Sequence, residues 1–251
     1  MVELVGILNI TPDSFSDGNL FLDPERAVKH AEQLFADGAA IVDIGAESTR
    51  PGAMPISDDE EWHRLSQVLE WFADLYPGRL SIDTYHPQTA AKALALRPFI
   101  INDVTGFQDP AMVEQVAAHG AKCVINYLPG KDIQAAHQAP PLDDLQQVID
   151  GLLSRAATLE DKGVKHRDII LDPGIGFGKT VDLNWQLLEF ARYVPDYKVI
   201  IGYSRKRFLG EKRMDLKTNL AAGQAAIAAG AAYLRVHDVA GHRQLLEKHV
   251  R

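Results

Sequence analysis

Residues 99–127 read FIINDVTGFQDPAMVEQVAAHGAKCVINY, and this one stretch decides the fold class. Its first six residues, Phe99–Val104, are an almost unbroken apolar run that closes on Asn102 and Asp103. Asp109 then stands where a helix N-cap belongs, Pro110 suits the first helical turn, and apolar residues recur at helical spacing up to His119. Gly120 follows, where a left-handed cap favours glycine, and a second apolar run, Lys122–Tyr127, begins at once. Two strands joined by a helix this short lie parallel, and their continuous hydrophobicity is that of strands covered on both faces.

Working outward in both directions, the same unit recurs along the chain. Further strands are expected at Leu4–Ile10, Ala40–Ile44, Leu80–Asp83, Asp168–Asp172, Lys198–Gly202 and Tyr233–His237. Helices are expected at Pro24–Ala36 after an Asp23 cap, at Asp58–Leu75 after Ser57, and at Leu142–Asp161. Gly38 and Gly163 punctuate two of them. Eight strand–helix units predict a single-domain (β/α)8 TIM barrel over residues 1–251; a doubly wound open sheet is the alternative, and a count of eight favours closure.

Composition narrows the function classes. A net charge of −8 argues against a general attraction to nucleic acid or to anionic membrane surfaces, so any anion must meet a local basic cluster. No apolar run is long enough to span a bilayer and no secretory leader is recognisable, which makes a cytoplasmic location the expectation. The single cysteine, Cys123, excludes an internal disulfide and is expected to be a buried thiol.

Polar residues gather at the C-terminal ends of all the expected strands: Asn9, Asp43 with Glu47-Ser48-Thr49-Arg50, Asp83, Asn102-Asp103, Asn126, Asp172, Ser204-Arg205-Lys206, and Arg235 with His237-Asp238. That rim is where a barrel enzyme keeps its catalytic groups. Any one of these residues could instead cap a helix or tie a loop, and Asp43 and Asp238 are read as structural. Arg50, Arg205, Lys206, Arg235 and His237 are basic residues in an acidic protein, and a barrel would draw them around one mouth suited to an anion with several oxygens, such as pyrophosphate. The bland alternative is a set of rim salt bridges. It is weakest for Arg235 and His237, whose i, i+2 spacing turns both side chains to one face.

Pro173–Thr180 imitates a phosphate loop, but Pro173 takes the place of its first glycine and leaves the amide cradle incomplete. No zinc motif is present; a Mg²⁺ ion carried on phosphate oxygens is compatible with the pattern.

Several segments together resemble the dihydropteroate synthase family: Gly6–Gly18, Asp43–Gly52, Ser81–Thr84, Ile101–Val104, Leu171–Gly174, Ser204–Lys206 and Arg235–Val239. The resemblance implies condensation of 6-hydroxymethyl-7,8-dihydropterin pyrophosphate with p-aminobenzoate to give 7,8-dihydropteroate and pyrophosphate, with Mg²⁺, in folate biosynthesis, by a homodimeric transferase that sulfonamides inhibit. It assigns Asp83, Asn102, Asp172, Phe177 and Lys206 to the pterin, and Asn9, Thr49, Arg50, Arg235 and His237 to the diphosphate. Asn9 would also meet the metal, and Phe15, Pro51, Lys206 and Arg207 would form the aminobenzoate and sulfonamide pocket. Arg50, Lys206, Arg235 and His237 would be the catalytic set.

Three departures from the family pattern stand out. Asn126-Tyr127-Leu128 replaces a His-Met pair, Arg207 replaces a serine, and Asn19 and Ala46 replace loop glycines. Two other readings remain: a pterin-binding methyltransferase-like barrel, which needs no diphosphate cations, and a divergent pterin-binding homologue without turnover.

Overall fold

The computed structural model describes residues 2–11, 24–72 and 74–249. Eight strands, β1 (Glu3–Asn9), β2 (Ile41–Gly45), β3 (Leu80–Asp83), β4 (Ile100–Asp103), β5 (Cys123–Asn126), β6 (Ile169–Asp172), β7 (Lys198–Ile201) and β8 (Tyr233–Val236), form a closed barrel in sequence order. Every neighbouring pair is parallel, and β1 pairs with β8. That last pairing excludes the open sheet.

The helices are α1 (Pro24–Asp37), α2 (Asp58–Phe72), α3 (Pro87–Leu96), α4 (Pro110–His119), α5 (Ile133–Gln138), α6 (Leu145–Asp161), α7 (Val181–Gln186), α8 (Leu216–Ala228) and α9 (Val239–His249). Their boundaries follow local chemistry. The Asp109 carboxylate accepts the Ala111 N–H to start α4, and Gly120 ends it at φ 57°. Ser57 Oγ accepts the Glu60 N–H ahead of α2. Gly38 and Gly163 adopt φ of 110° and 95°, as their positions after helices require. The expected Asp23 cap lies outside the described residues.

Three helix boundaries differ from the sequence reading, the least of them α1, which runs one residue past Ala36 to Asp37. The helix expected from Leu142 begins at Leu145, because Asp144 caps it through Gln147 N–H while Leu142 forms a parallel bridge with Lys179. The helix expected to reach Leu75 stops at Phe72, whose carbonyl accepts the N–H groups of both Leu75 and Tyr76 in a turn.

Strand alternation builds the lumen in two tiers. Val5, Ile100, Val124, Ile170, Ile200 and Tyr233 pack together as an apolar floor, with Ile41 against them. Two residues further along the same strands, and therefore on the same inward face, stand Asp43, Asn102, Asn126, Asp172 and Arg235. The larger core lies between barrel and helices, where residues such as Leu8, Ile44, Ile82 and Leu171 are fully buried. Cys123 belongs to that core, and burial raises its thiol pKa, as expected of an inert cysteine. Among the described residues no helix is long and apolar enough to cross a membrane.

Candidate active site

The upper tier of the lumen is a network centred on one guanidinium. Arg235 Nε donates to Asp43 Oδ2 at 2.6 Å and its Nη2 donates to Asp83 Oδ2 at 2.6 Å. Asp43 also accepts from Asn102 Nδ2 at 3.0 Å, so β2, β3, β4 and β8 are joined across the barrel. Asp43 was read from sequence as structural, and its contacts agree in part: it is 1% exposed and it orients the two groups beside it. Arg235 thus makes the salt bridges of the bland reading, but with carboxylates inside the lumen rather than on the rim. Three of its five N–H donors remain outside those two bonds.

Asp172 stands opposite Asn126 in the β5–β6 register and is 4% exposed. Its Oδ1 accepts the Gly174 N–H at 2.8 Å. Burial raises its pKa, against the pull of Lys206, the Gly174 amide, Arg235 and Lys179. Burial also raises Asp83, with Arg235 as the main opposing influence. Asn126 is buried and its Oδ1 has no hydrogen-bond partner, a polar atom held at a cost unless a ligand meets it. Of the adjacent pair Asn102-Asp103, only Asn102 enters the lumen network. Asp103 points the other way and ties a turn, accepting from Thr105 N–H and Oγ1 and from Phe107 N–H, which supports Phe107 at φ 57°.

Lys206 follows Arg205, whose φ of 62° is one of two positive values among described non-glycine residues. Asn219 on α8 holds that strained turn by accepting the Arg205 N–H at 2.9 Å. The geometry sends Lys206 inward: Nζ donates to the Ile175 carbonyl and lies 5.0 Å from the centre of the Phe177 ring. Burial lowers its pKa to about 8, with Asp172 opposing.

His237 accepts or donates at Ser204 Oγ through Nδ1, at 3.0 Å, and its backbone N–H donates to the same oxygen at 3.3 Å. Burial first, then Arg205, Arg235, Arg50 and Lys206, lower its pKa to about 3. Those four cations thus act on His237, which a pKa of about 3 leaves neutral near pH 7, so it is not itself one of the cations. Arg50 itself is exposed on the loop after β2, with Thr49 half-buried and Pro51 exposed beside it. Asn9 is the half-buried last residue of β1, on the same side of the strand as Val5. Arg207 is exposed at the start of a short 3-10 helix, Arg207–Leu209. Phe15 and all of the Gly6–Gly18 segment beyond Thr11 lie outside the described residues.

The Pro173–Thr180 loop works in the opposite sense to a phosphate loop. Lys179 is turned inward and donates to the carbonyls of Tyr127, Gly174 and Phe177 at 3.0, 2.7 and 3.1 Å. A loop that offers carbonyls to its own buried lysine has no cradle for a phosphate. Gly174 must be glycine here: φ is 69° and a Cβ would sit 2.1 Å from the Tyr127 carbonyl.

Two contributors were not read from the sequence. His137, on α5, bonds the Thr49 carbonyl at 3.1 Å and lies 6.0 Å from the Phe177 ring, joining two loops of the mouth. His86 pairs with Glu47, which the sequence placed only in the polar rim. His86 stands on a loop and His137 on the 6-residue α5, both segments too short to display a periodicity, so only the folded chain brings these partners together. Among the described residues one trio, Glu47, Glu61 and His86, brings potential metal-ligating atoms within 4.8 Å of one another, and Asn9 is not part of it.

A closed parallel barrel with an apolar floor, a tier of acids, amides and one guanidinium above it and further cations acting on His237 at the mouth defines a (β/α)8 barrel enzyme suited to a polar ligand with an anionic arm. Residues 5–237 match the family model described as pterin binding enzyme. The chain is 35% identical over 247 residues to dihydropteroate synthase of Escherichia coli strain K12, covering 94% of this chain and 86% of that one. The Xanthomonas albilineans dihydropteroate synthase structure with 4-aminobenzoic acid superposes at a TM-score of 0.88 with 36% identity, covering 99% of this chain and 92% of that one. The Burkholderia cenocepacia dihydropteroate synthase complexed with 7,8-dihydropteroate superposes at 0.86 with 35% identity, covering 100% of this chain and 91% of that one. The chain belongs to the pterin-binding enzyme family, and within it to the dihydropteroate synthases.

Proposed function

We propose that this chain catalyses the dihydropteroate synthase reaction, joining 6-hydroxymethyl-7,8-dihydropterin pyrophosphate to p-aminobenzoate with release of pyrophosphate. The observation that carries the reading is the arrangement of the lumen: buried Asp172 and Asn102 with half-buried Asp83 share one tier with Arg235, and Arg205, Arg235, Arg50 and Lys206 all act on His237 at the mouth.

A pterin's amidine-like edge donates two parallel hydrogen bonds, and the Asp172 carboxylate accepts such a pair. Asn102 and Asp83 complete that edge, and Lys206 donates to ring acceptors while Phe177 lies along a ring face. Asn126 stands beside Asp172 with an unpartnered oxygen that fits a further ring N–H, so the departure from the His-Met pair still supplies hydrogen-bonding capacity. The diphosphate takes Arg235, His237, Thr49 and Arg50. As the C–O bond to the pterin methylene breaks, its electron pair leaves with the diphosphate, and preorganised cations stabilise that developing charge more than the ground state. Departure ahead of attack leaves a pterin cation, which the aminobenzoate nitrogen captures with loss of a proton.

Asn9 offers one amide oxygen, which fits Mg²⁺ bound chiefly by phosphate oxygens and water rather than by an all-protein cage. Such an ion would supply Lewis-acid charge neutralisation at the diphosphate. The family resemblance assigns the aminobenzoate pocket to Pro51, Lys206 and Arg207, together with Phe15, which lies outside the described residues. A homodimeric, cytoplasmic enzyme is the accompanying expectation, and sulfonamides its inhibitors.

Mixing the purified chain with dihydropterin pyrophosphate, p-aminobenzoate and Mg²⁺ tests the reading. Pyrophosphate and dihydropteroate should form together, and Asp172→Ala and Arg235→Ala should be nearly inactive. Absence of pyrophosphate release from a folded chain would sink the reading in favour of a methyltransferase-like or non-catalytic pterin-binding barrel.

A further inference from the structure

The loop between β2 and α2, residues 46–57, carries Thr49, Arg50 and Pro51, and one imidazole ties both of its ends. At the start of the loop, Glu47 Oε2 lies 2.9 Å from His86 Nε2, and Glu47 Oε1 accepts from Tyr85 Oη at 2.6 Å. At its far end, Asp58 Oδ1 lies 2.9 Å from the other ring nitrogen, His86 Nδ1. The His86 side chain is 11% exposed and that of Glu47 6%, so water is a poor substitute for that contact, while Asp58 at 30% forms the more open side of the clamp.

A neutral imidazole has one N–H and one lone pair, so only the imidazolium can donate to a carboxylate from each nitrogen. Burial works against that charge, but the Glu47 hydrogen bond and the charges of Glu61, Glu47 and Asp58 outweigh it, and the proton is held above the ordinary imidazole range. The groups facing the ring are Glu47, Asp58 and Glu61, with the Tyr85 ring stacked at 4.3 Å. The cations on the adjoining helices have other partners: Arg64 pairs with Glu60 and donates to the Ala46 carbonyl, and Lys92 pairs with Asp59.

The ring is mounted on a fixed platform. The His86 N–H donates to Thr84 Oγ1 at 3.1 Å, and that hydroxyl donates to Glu61 Oε2 at 2.7 Å, where Glu61 is fully buried on α2. Thr84 directly follows Asp83, so the strand that places a carboxylate in the lumen also places the support of the loop above it.

We propose that protonated His86 is a positioning residue that clamps residues 47 and 58 and thereby sets Thr49 and Arg50 over the mouth of the barrel. The functional consequence rests on the reading of that mouth as the diphosphate site; the clamp itself does not. Deprotonation turns a ring lone pair towards a carboxylate, so the clamp is whole below the raised pKa of His86 and opens as pH rises through it.

The test compares wild type, His86→Ala and His86→Lys, the last keeping a cation at every pH used. Amide hydrogen exchange over residues 47–57 at neutral pH should accelerate about tenfold or more in His86→Ala and less in His86→Lys. In wild type, exchange corrected for its intrinsic pH dependence should accelerate along the His86 ring titration followed by NMR. With substrates, His86→Ala should raise KM for dihydropterin pyrophosphate about tenfold with kcat within about threefold, and His86→Lys should recover part of that rise. Lys206 titrates in all three proteins and so cancels in the comparison. Unchanged loop exchange in a folded His86→Ala would overturn the clamp, as would a Zn²⁺-induced rise in Tm that this variant loses, because an ion would then occupy the place given to the proton. If loop exchange responds as expected but wild type releases no pyrophosphate, the clamp stands and the functional reading fails.

Discussion

Arg235 and Asp43 meet at 2.6 Å across the barrel lumen although 192 positions separate them in the chain. Asp43 is 1% exposed and sits on β2, and Arg235 sits on β8, so the contact spans the strand between them. With Asp83 gripping the other side of the guanidinium, the side chain is fixed before any substrate arrives. That preorganisation is what an anion-stabilising cation requires, since no reorganisation is then needed at the moment of bond cleavage.

Removing the cation while keeping its length, as in Arg235→Met, leaves two carboxylates in the lumen without a counter-charge. Breaking a buried pair in this way costs about 3–5 kcal/mol of stability and should be visible in urea unfolding at neutral pH. Asp43→Asn should be milder in stability but should lower kcat/KM about tenfold, because its amide oxygen still accepts from Arg235 while the charge assistance to that bond is gone. A fully active Asp43→Asn enzyme would show that the orientation of Arg235 does not depend on the charge of Asp43.

His237 makes a separate prediction with a definite sign. Its folded pKa, about 3, lies below the unfolded value, because burial and then Arg205, Arg235, Arg50 and Lys206 all resist a further positive charge. The folded state therefore binds fewer protons than the unfolded one at mildly acidic pH, and the stability linked to His237 is present above the ordinary imidazole range and lost as pH falls towards about 3. His237→Asn should accordingly gain stability relative to wild type between about pH 7 and pH 5, measured by urea unfolding at each pH. Pyrophosphate should reverse the electrostatics and raise the His237 pKa; an NMR titration that is the same with and without pyrophosphate would place the anion elsewhere.

Strand order and closure were legible because continuous apolar runs alternate with helical periods eight times, and the polar tier because polar residues close those runs: Ile100 and Asn102, Ile170 and Asp172, Tyr233 and Arg235 are each two apart and so share a face. The same rule separates Asn102, in the lumen, from Asp103, in a turn. What the sequence could not display is pairing between loops and short or terminal helical turns. His137 on Thr49 and His86 between Glu47 and Asp58 join segments 88, 39 and 28 positions apart with no shared periodicity. Arg235 shows the limit from the other side: its lumenal position followed from alternation, but its carboxylate partners depended on which strands the closed barrel set side by side.

Lys179 offers a prediction about the loop that carries Phe177. Its ammonium donates to three carbonyls and the residue is 8% exposed, so Lys179→Met strips three acceptors of their donor at once. Each orphaned carbonyl costs about 1–3 kcal/mol before water gains access, and a net loss of roughly 3 kcal/mol in chemical unfolding is expected. Because the Gly174 carbonyl is one of the three and the Gly174 N–H holds Asp172, KM for the dihydropterin substrate should rise as well. Unchanged stability would mean that water replaces the lysine at no cost.

Arg207 separates the two ligands proposed for the outer pocket. It is exposed and directly follows Lys206, so its guanidinium can act on a carboxylate at the pocket entrance only through solvent-screened attraction. Such an interaction is worth roughly 0.2–1 kcal/mol, which converts to a rise in p-aminobenzoate KM of at most about fivefold in Arg207→Ser. The rise should shrink with added salt, because the contact is exposed. Sulfonamides lack the matching carboxylate, so their inhibition constants should move less than the KM does. Equal shifts for both ligands would show that Arg207 acts on the shape of the pocket and not through its charge.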